Sequence, residues 1–298
     1  MEKSVLEGFS LPKDKGKVQE FYSEILNIIT SALDEIQSEQ NFTTLNEEST
    51  RIFPIGDYTN DTFIDENGEL EVVIASSNPQ LALANKTFVK NIAEARSKKA
   101  QNTISNDGTF DKFIIAFASS LAGYFDEKTA ILLVNEGIKV FCYKEYSFKL
   151  LIRFATYSEN DENAILTFWN PLLRQTKEVD LFLYNENMEK KNEETHGNYK
   201  KLVRIYKNLR KTLLINKWAS GNEINKYFVE LIIFNIPNEL LQDKDIDMVF
   251  TKSFNYLTNC NVLNFKSFDG KSLQTFMLAK ISTQKVIEFI NLLSKVVI

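Results

Sequence analysis

Only two cysteines occur in the 298 residues, Cys142 and Cys260, far apart and with no second Cys or His at ligand spacing. A disulfide framework and a structural zinc site are therefore not expected; two reduced thiols are. The single histidine, His196, lies in a charged stretch and is assigned no chemistry. Glycine is scarce at 10 residues, so Gly-rich loops are few. No apolar run approaches the ~20 residues that a membrane span requires. Residues 1–17 contain no apolar core of the signal-peptide kind, so a cytoplasmic chain with no membrane partner is expected. An excess of positive charge is missing too: 35 Lys and Arg stand against 40 Asp and Glu, for a net charge of -5. Bulk charge thus argues against nucleic acid as a partner. No internal repeat is found.

What remains is an ordinary globular composition, 44% hydrophobic and 25% charged, with 23 phenylalanines to fill a core. The length fits one large domain or two packed lobes. Val18, Phe21, Tyr22, Ile25, Ile28, Ile29, Leu33 and Ile36 recur at helical spacing and predict a helix over 17–37. Short strands are expected at 51–55, ending at Gly56, and at 69–75, preceded by the turn signal Asn67-Gly68. Helices follow at 79–100, opened by Pro79, and at 111–125. Runs rich in Val, Ile, Leu and Phe at 129–134, 137–143 and 148–156 predict strands of one sheet, with Cys142 in its core and a polar loop at 158–163. After Pro171 the chain turns polar, and 185–196 reads as a charged connector. Further helices are expected at 199–214, 223–235 (ended by Pro237), 246–258 and 283–297. This order predicts an α+β fold. A mixed sheet with helices spans 1–185, a helical lobe spans 186–298, and the cleft between such lobes is the default ligand site.

One stretch carries candidate chemistry. Residues 53–75 read F-P-I-G-D-Y-T-N-D-T-F-I-D-E-N-G-E-L-E-V-V-I-A. Glu69 and Glu71, two apart on a strand, point to one face and can reach the same metal pair. Nucleotidyl transfer uses two divalent ions ~4 Å apart to clamp the attacking and leaving oxygens. The turn at Gly56-Asp57, with Thr62 downstream, can offer backbone N–H groups to phosphates.

Together with two later blocks, this stretch resembles the nucleotidyltransferases related to cyclic GMP–AMP synthase and the bacterial dinucleotide cyclases. The family signature is Gly-Ser, a threonine some residues on, then Asp-x-Asp on the next strand. The later blocks are 192–211, N-E-E-T-H-G-N-Y-K-K-L-V-R-I-Y-K-N-L-R-K, and 227–241, Y-F-V-E-L-I-I-F-N-I-P-N-E-L-L. They are similar to the family's paired helices, of which the second ends in Asn-x-Pro. The resemblance runs over roughly residues 50–245 and implies a nucleotidyltransferase palm followed by a helical lobe. It implies nucleotide contacts at Gly56, Asp57, Thr62 and Lys207, with Glu69 and Glu71 as the catalytic and metal-binding acids.

Three departures fall on the chemistry. The cradle serine is Asp57, whose charge repels a triphosphate unless a metal intervenes. The metal pair is Glu-x-Glu, and one extra methylene moves each carboxylate by ~1.5 Å, which octahedral magnesium tolerates poorly. A misplacement of ~1 Å can cost on the order of a hundredfold in rate. The family's third aspartate has no counterpart in F-K-L-L-I-R-F-A-T, where Leu150 or Leu151 stands in its place. Asp180, in E-V-D-L-F-L-Y, is set aside as part of the connector. The expectation is a pseudoenzyme with residual nucleotide binding. Its alternative is an active magnesium-dependent enzyme making a cyclic or linear oligonucleotide from NTPs. Magnesium is the cofactor if the chain is active, and none is needed otherwise. The expected ligand is an NTP, with a protein partner for a chain that has lost the reaction.

Bland readings stand beside these. Glu69 and Glu71 also fit the solvent face of an edge strand. Asp57 fits a turn cap. Lys207 fits one more solvated base on a helix with Lys200, Lys201, Arg204, Arg210 and Lys211. Glu230, inside an apolar helix, is expected to be a buried, paired carboxylate. The bases between Lys190 and Lys217 are a weak candidate for nucleic acid.

Overall fold

The computed structural model describes residues 1–12, 16–40, 50–64, 68–77, 109–141, 149–157, 165–172, 175–218, 226–268 and 283–297. The expected helix at 79–100, the loop at 158–163 and Cys142 lie outside the described residues. The chain divides into two compact units. One comprises Asp14–Thr59 and Glu66–Leu181, the other Met1–Lys13, Asn60–Asp65 and Phe182–Ile298. Among the described residues no helix is long and apolar enough to cross a membrane.

The first unit is built on a mixed seven-stranded sheet. Its strands are β1 (Thr50–Ile55), β2 (Glu69–Ser76), β3 (Ala130–Val134), β4 (Gly137–Phe141), β5 (Lys149–Thr156), β6 (Ile165–Asn170) and β7 (Gln175–Asp180). The order runs β1-β2-β5-β4-β3, with β6 on β5 and β7 on β6. Only β2 and β5 run parallel; the other pairs are antiparallel. β2 is nearly continuous in buried residues, as a central strand covered on both faces should be.

Helices α2 (Gly16–Gln40) and α3 (Thr109–Gly123) belong to this unit. Phe154 of β5 receives the edges of Phe113 and Phe117 of α3, each with ring centroids 5.8 Å away. The residues that share its face, Leu70, Val72, Ile74, Leu150 and Ile152, are all buried. α2 buries Phe21, Ile25, Ile29 and Leu33, and the Ser120 hydroxyl of α3 donates to the Ala32 carbonyl at 3.3 Å. The opposite face carries a second apolar cluster of Ile55, Val73, Ala75, Ala155, Leu166, Phe168 and Leu181.

The second unit is helical: α1 (Lys3–Ser10), α4 (Leu181–Glu194, but for its first residue), α5 (Asn198–Ile215), α6 (Lys226–Phe234), α7 (Ile246–Asn259) and α8 (Thr283–Val297). α6 is buried along most of its length, from Tyr227 through Ile233. Phe289 of α8 packs edge-on against its Phe228, centroids 5.7 Å apart. α6 stops at the Asn-x-Pro motif. The Asn235 side chain accepts from the Lys266 N–H at 2.7 Å and donates to the Lys266 carbonyl at 2.8 Å, fixing the chain beyond the helix. Asp245 caps α7, its carboxylate accepting the Asp247 N–H at 3.1 Å.

Several expectations need correction. Most of the segment 185–196 is not a connector: residues 185–194 lie in α4, whose poor apolar periodicity hides it, and only Thr195 and His196 belong to the turn that follows. Two strands, β6 and β7, lie beyond those predicted; β7 is mostly polar, while β6 carries the apolar run I-L-T-F-W. β1 and β2 pair antiparallel; Asn67 of the expected turn signal lies outside the described residues. The division between the units falls at Leu181/Phe182, and both Met1–Lys13 and Asn60–Asp65 lie in the helical unit.

Gly137, at the start of β4, has φ +146°. A Cβ there would lie 1.9 Å from the Ile152 carbonyl oxygen of β5. Gly137→Ala should therefore destabilise the protein by about 2–4 kcal/mol, read as a lower midpoint in urea unfolding. A neutral result would show that the β4–β5 contact is not this close.

Candidate functional site

The β2–β5 register decides what surrounds the acid pair. Glu71 is directly opposite Leu151, Val73 opposite Arg153 and Glu69 opposite Lys149. Across the next pairing, Leu151 is opposite Lys139 of β4. Residues directly opposite share a face of the sheet. One face therefore gathers Glu69, Glu71, Lys139, Lys149, Leu151 and Arg153. The edge-strand reading of the acids is excluded: β2 lies between β1 and β5, and Glu71 is 1% exposed.

Both carboxylates are engaged by cations. The Arg153 Nε donates to Glu71 Oε2 at 2.8 Å, with both side chains buried. Glu69 forms an ion pair with Lys139, both groups partly exposed. Arg153 and Lys139 are the residues that sequence reasoning did not place as partners. The antiparallel step from β5 to β4 brings Lys139 in, and no local motif announces it. Leu151 occupies the middle of the group and is buried. Asp180 ends β7, opposite Ile165. Alternation through β6 and β5 puts it on the other face of the sheet from Glu69 and Glu71, where it cannot act as a third acid. Among the described residues, no three His, Cys, Asp or Glu side chains converge as a metal cluster.

The Gly56-Asp57 turn closes β1. Gly56 takes φ +74°, which glycine adopts without a Cβ penalty, and its carbonyl accepts from the Thr59 hydroxyl at 2.9 Å. Asp57 is buried at the edge of this turn.

Thr62 and Lys207 lie in the helical unit and meet there. The Lys207 ammonium, 2% exposed, donates to Glu230 Oε1 at 2.5 Å and to the Thr62 hydroxyl at 2.9 Å. Thr62 in turn donates to Glu230 Oε1 at 2.8 Å, and the Tyr184 hydroxyl donates to Glu230 Oε2. Burial, and then the neighbouring Glu230 charge, hold the Tyr184 phenol well above its ordinary range, so it stays a donor. Arg204 anchors the same segment, its Nη1 donating to the Asp61 carbonyl at 2.7 Å and its Nε to the Ser10 carbonyl at 2.6 Å. Glu230 is thus the buried, paired carboxylate expected of it. Lys207 and Arg204 are not solvated bases. With Lys191, also buried, they remove three cations from the supposed nucleic-acid stripe.

The comparisons with known proteins point the same way. Residues 186–297 match the cGAS/DncV-like nucleotidyltransferase C-terminal helical domain. The chain is 26% identical over 225 residues to a cyclic UMP-AMP synthase of Rhodothermus marinus, covering 72% of this chain and 73% of that one. It is 24% identical over 237 residues to the cyclic nucleotide synthase CdnE01 of Staphylococcus haemolyticus, covering 73% of each. The structure of the Elizabethkingia meningoseptica CdnE cyclic dinucleotide synthase, solved with GTP and Apcpp, superposes with TM-score 0.72 at 15% identity, over 100% of this chain and 99% of that one. Residues 186–297 thus match that family's C-terminal helical domain, and the chain is similar to cyclic nucleotide synthases of the cGAS/DncV-like kind. Its α+β architecture, a mixed sheet and a helical C-terminal region, is the nucleotidyltransferase fold.

The acids of this chain do not fit a divalent-ion pair as they stand. One Glu71 oxygen is held by a guanidinium and one Glu69 oxygen by an ammonium, and an aliphatic side chain fills the position opposite Glu71. Magnesium needs near-ideal octahedral oxygen ligation, which neither arrangement offers.

Two outcomes check the helical cluster. Lys207→Met leaves the Glu230 carboxylate buried without its cation and should cost about 3–5 kcal/mol of unfolding free energy, with much of it recovered in Lys207→Met/Glu230→Gln. Equal losses in both would show that Lys207 is not the counter-charge of Glu230. Burial also lowers the Lys191 ammonium from 10.5 to about 8. The unfolded chain then holds the extra proton from about pH 8 to 10.5, so stability rises with pH across that window. Lysine-selective NMR should find one ammonium titrating near pH 8 that vanishes in Lys191→Met; a titration above 10 would contradict the burial effect.

Proposed function

We propose that this chain is a nucleotidyltransferase-fold protein with impaired transfer chemistry that keeps nucleotide binding. One observation carries the proposal: the β2–β5 register puts Leu151, not an acid, opposite Glu71. The attacking ribose hydroxyl of a transfer reaction must lose a proton to a nearby base, and a leucine cannot take it. The Glu-x-Glu pair and Asp57 in place of the cradle serine add to the impairment. What persists is the scaffold: the Gly56 turn, the Asn-x-Pro stop after α6, and the Thr62–Lys207–Glu230 cluster.

In this proposal the nucleotide contacts of the sheet unit are the turn N–H groups at Gly56 and Asp57. Thr62 and Lys207 serve first as the anchor of residues 60–65, because Glu230 already engages the Lys207 ammonium. The second reading is an active magnesium-dependent enzyme joining NTPs into a cyclic or linear oligonucleotide with release of pyrophosphate, with Glu69 and Glu71 as its acids. The relation to two cyclic nucleotide synthases favours it.

Product formation separates the two. Incubated with the four NTPs and magnesium or manganese, the wild type should release no pyrophosphate above a protein-free blank. Glu69→Asp/Glu71→Asp/Leu151→Asp restores the acid set and should turn over if the cradle still serves. Turnover by the wild type would overturn the proposal. Retained binding should appear as a rise in melting temperature with an NTP in the absence of metal, growing with concentration as ligation of the native state requires. No rise with any NTP would remove the nucleotide from the proposal.

A further inference from the structure

The acid pair carries internal counter-ions. Glu71 is 1% exposed, and a carboxylate so buried demands a compensating charge. Arg153 supplies it through the 2.8 Å contact from Nε, with side-chain exposures of 10% and 1% for the two partners. Glu69 is met by Lys139 in the same way. Lys149, opposite Glu69 on β5, adds a third positive charge to the face. Two carboxylates and two bound cations sum to zero. An arriving divalent ion therefore meets a neutral group already backed by a further lysine, not the doubly negative pair that would attract it. Coordination through Glu71 Oε2 would also have to displace the guanidinium that holds it.

From this we infer that Arg153 and Lys139 stand in for the divalent cation, so that the Glu69/Glu71 face is a metal-free ion-pair cluster. The inference builds on the proposed impairment but can fail separately from it. Arg153 emerges from the middle of β5, one β-strand repeat beyond Leu151, so its guanidinium reaches Glu71 diagonally across the parallel pair. Lys139 approaches Glu69 from β4 on the other side of β5. The cations thus come from two different strands and fix the sheet around the acids, as a metal would.

The test is a manganese titration of the full chain, followed by electron paramagnetic resonance of the free ion. The wild type should take up no manganese that Glu71→Gln abolishes. Lys139→Met/Arg153→Met vacates both carboxylates and should gain one site, roughly tenfold tighter or more than anything in the wild type, which Glu71→Gln then removes. Wild-type uptake lost in Glu71→Gln would overturn the inference, as would a folded double variant that gains no site. If the double variant does not fold, the wild type still decides. Its Arg153 Nε–H resonance, assigned through Arg153→Lys, must stay unbroadened by manganese; selective broadening overturns the stand-in. Metal-free turnover of NTPs by the wild type would defeat the proposed impairment and leave this inference standing. Manganese bound at Glu71 without turnover would do the reverse.

Discussion

The parallel pairing of β2 with β5 is the constraint on which the chemistry of the sheet unit rests. It places Leu151 opposite Glu71 and sets Arg153 one repeat further along the same face. A slip of one residue would turn that whole side-chain set to the other face. Such a slip is opposed from both sides. Leu70, Val72, Leu150 and Ile152 are buried on one face, and Val73, Ala75 and Ala155 on the other. The core thereby dictates what each charged group meets. The β5 positions that share the face of Glu69 and Glu71 are Lys149, Leu151 and Arg153, and none of them is an acid.

Each unit solves one problem of buried charge by an internal ion pair. Arg153 answers Glu71 in the sheet unit, and Lys207 answers Glu230 in the helical unit. Such pairs contribute little net stability against a hydrophobic alternative, but removing one partner is costly. Their value lies in what they fix. The Glu230 cluster anchors Thr62 within residues 60–65, three residues after the turn region at Gly56 to Thr59. Tyr184 and Arg204 close the same cluster from α4 and α5. A fold of this kind can lose its reaction without losing these contacts, because they bear on architecture and not on the transfer step.

Much of the fold was legible in the sequence. The strongly periodic helices α5, α7 and α8 and the apolar strands β2 and β5 fall where spacing put them, and the Asn235-x-Pro237 stop ends α6 as expected. The order of the three motif blocks pointed to the same proteins to which the comparisons find the chain similar. What could not be read depends on contacts distant in sequence. α4 looked like a connector because polar residues dominate it and its apolar members are few. β7, Q-T-K-E-V-D, is too polar to stand out, whereas β6, I-L-T-F-W-N, carries an apolar run that could have marked it. Lys207 sits in a run of bases that looks solvated, and only the approach of Glu230 from α6 and Thr62 from residues 60–65 shows that it is buried. The cations on Glu69 and Glu71 were equally hidden, since Lys139 and Arg153 reach them through strand pairing alone.

The absence of an acid at 151 and the presence of cations at Glu69 and Glu71 describe one condition: a face built for charge balance within the protein. A crystal soaked with manganese and a non-hydrolysable NTP analogue, measured at the manganese absorption edge, examines that face atom by atom. The account predicts no anomalous peak at Glu69 and Glu71, with the Arg153 guanidinium still on Glu71. A peak ligated by both carboxylates, with Arg153 and Lys139 turned away, would contradict it and return the chain to the metal-dependent nucleotidyltransferases.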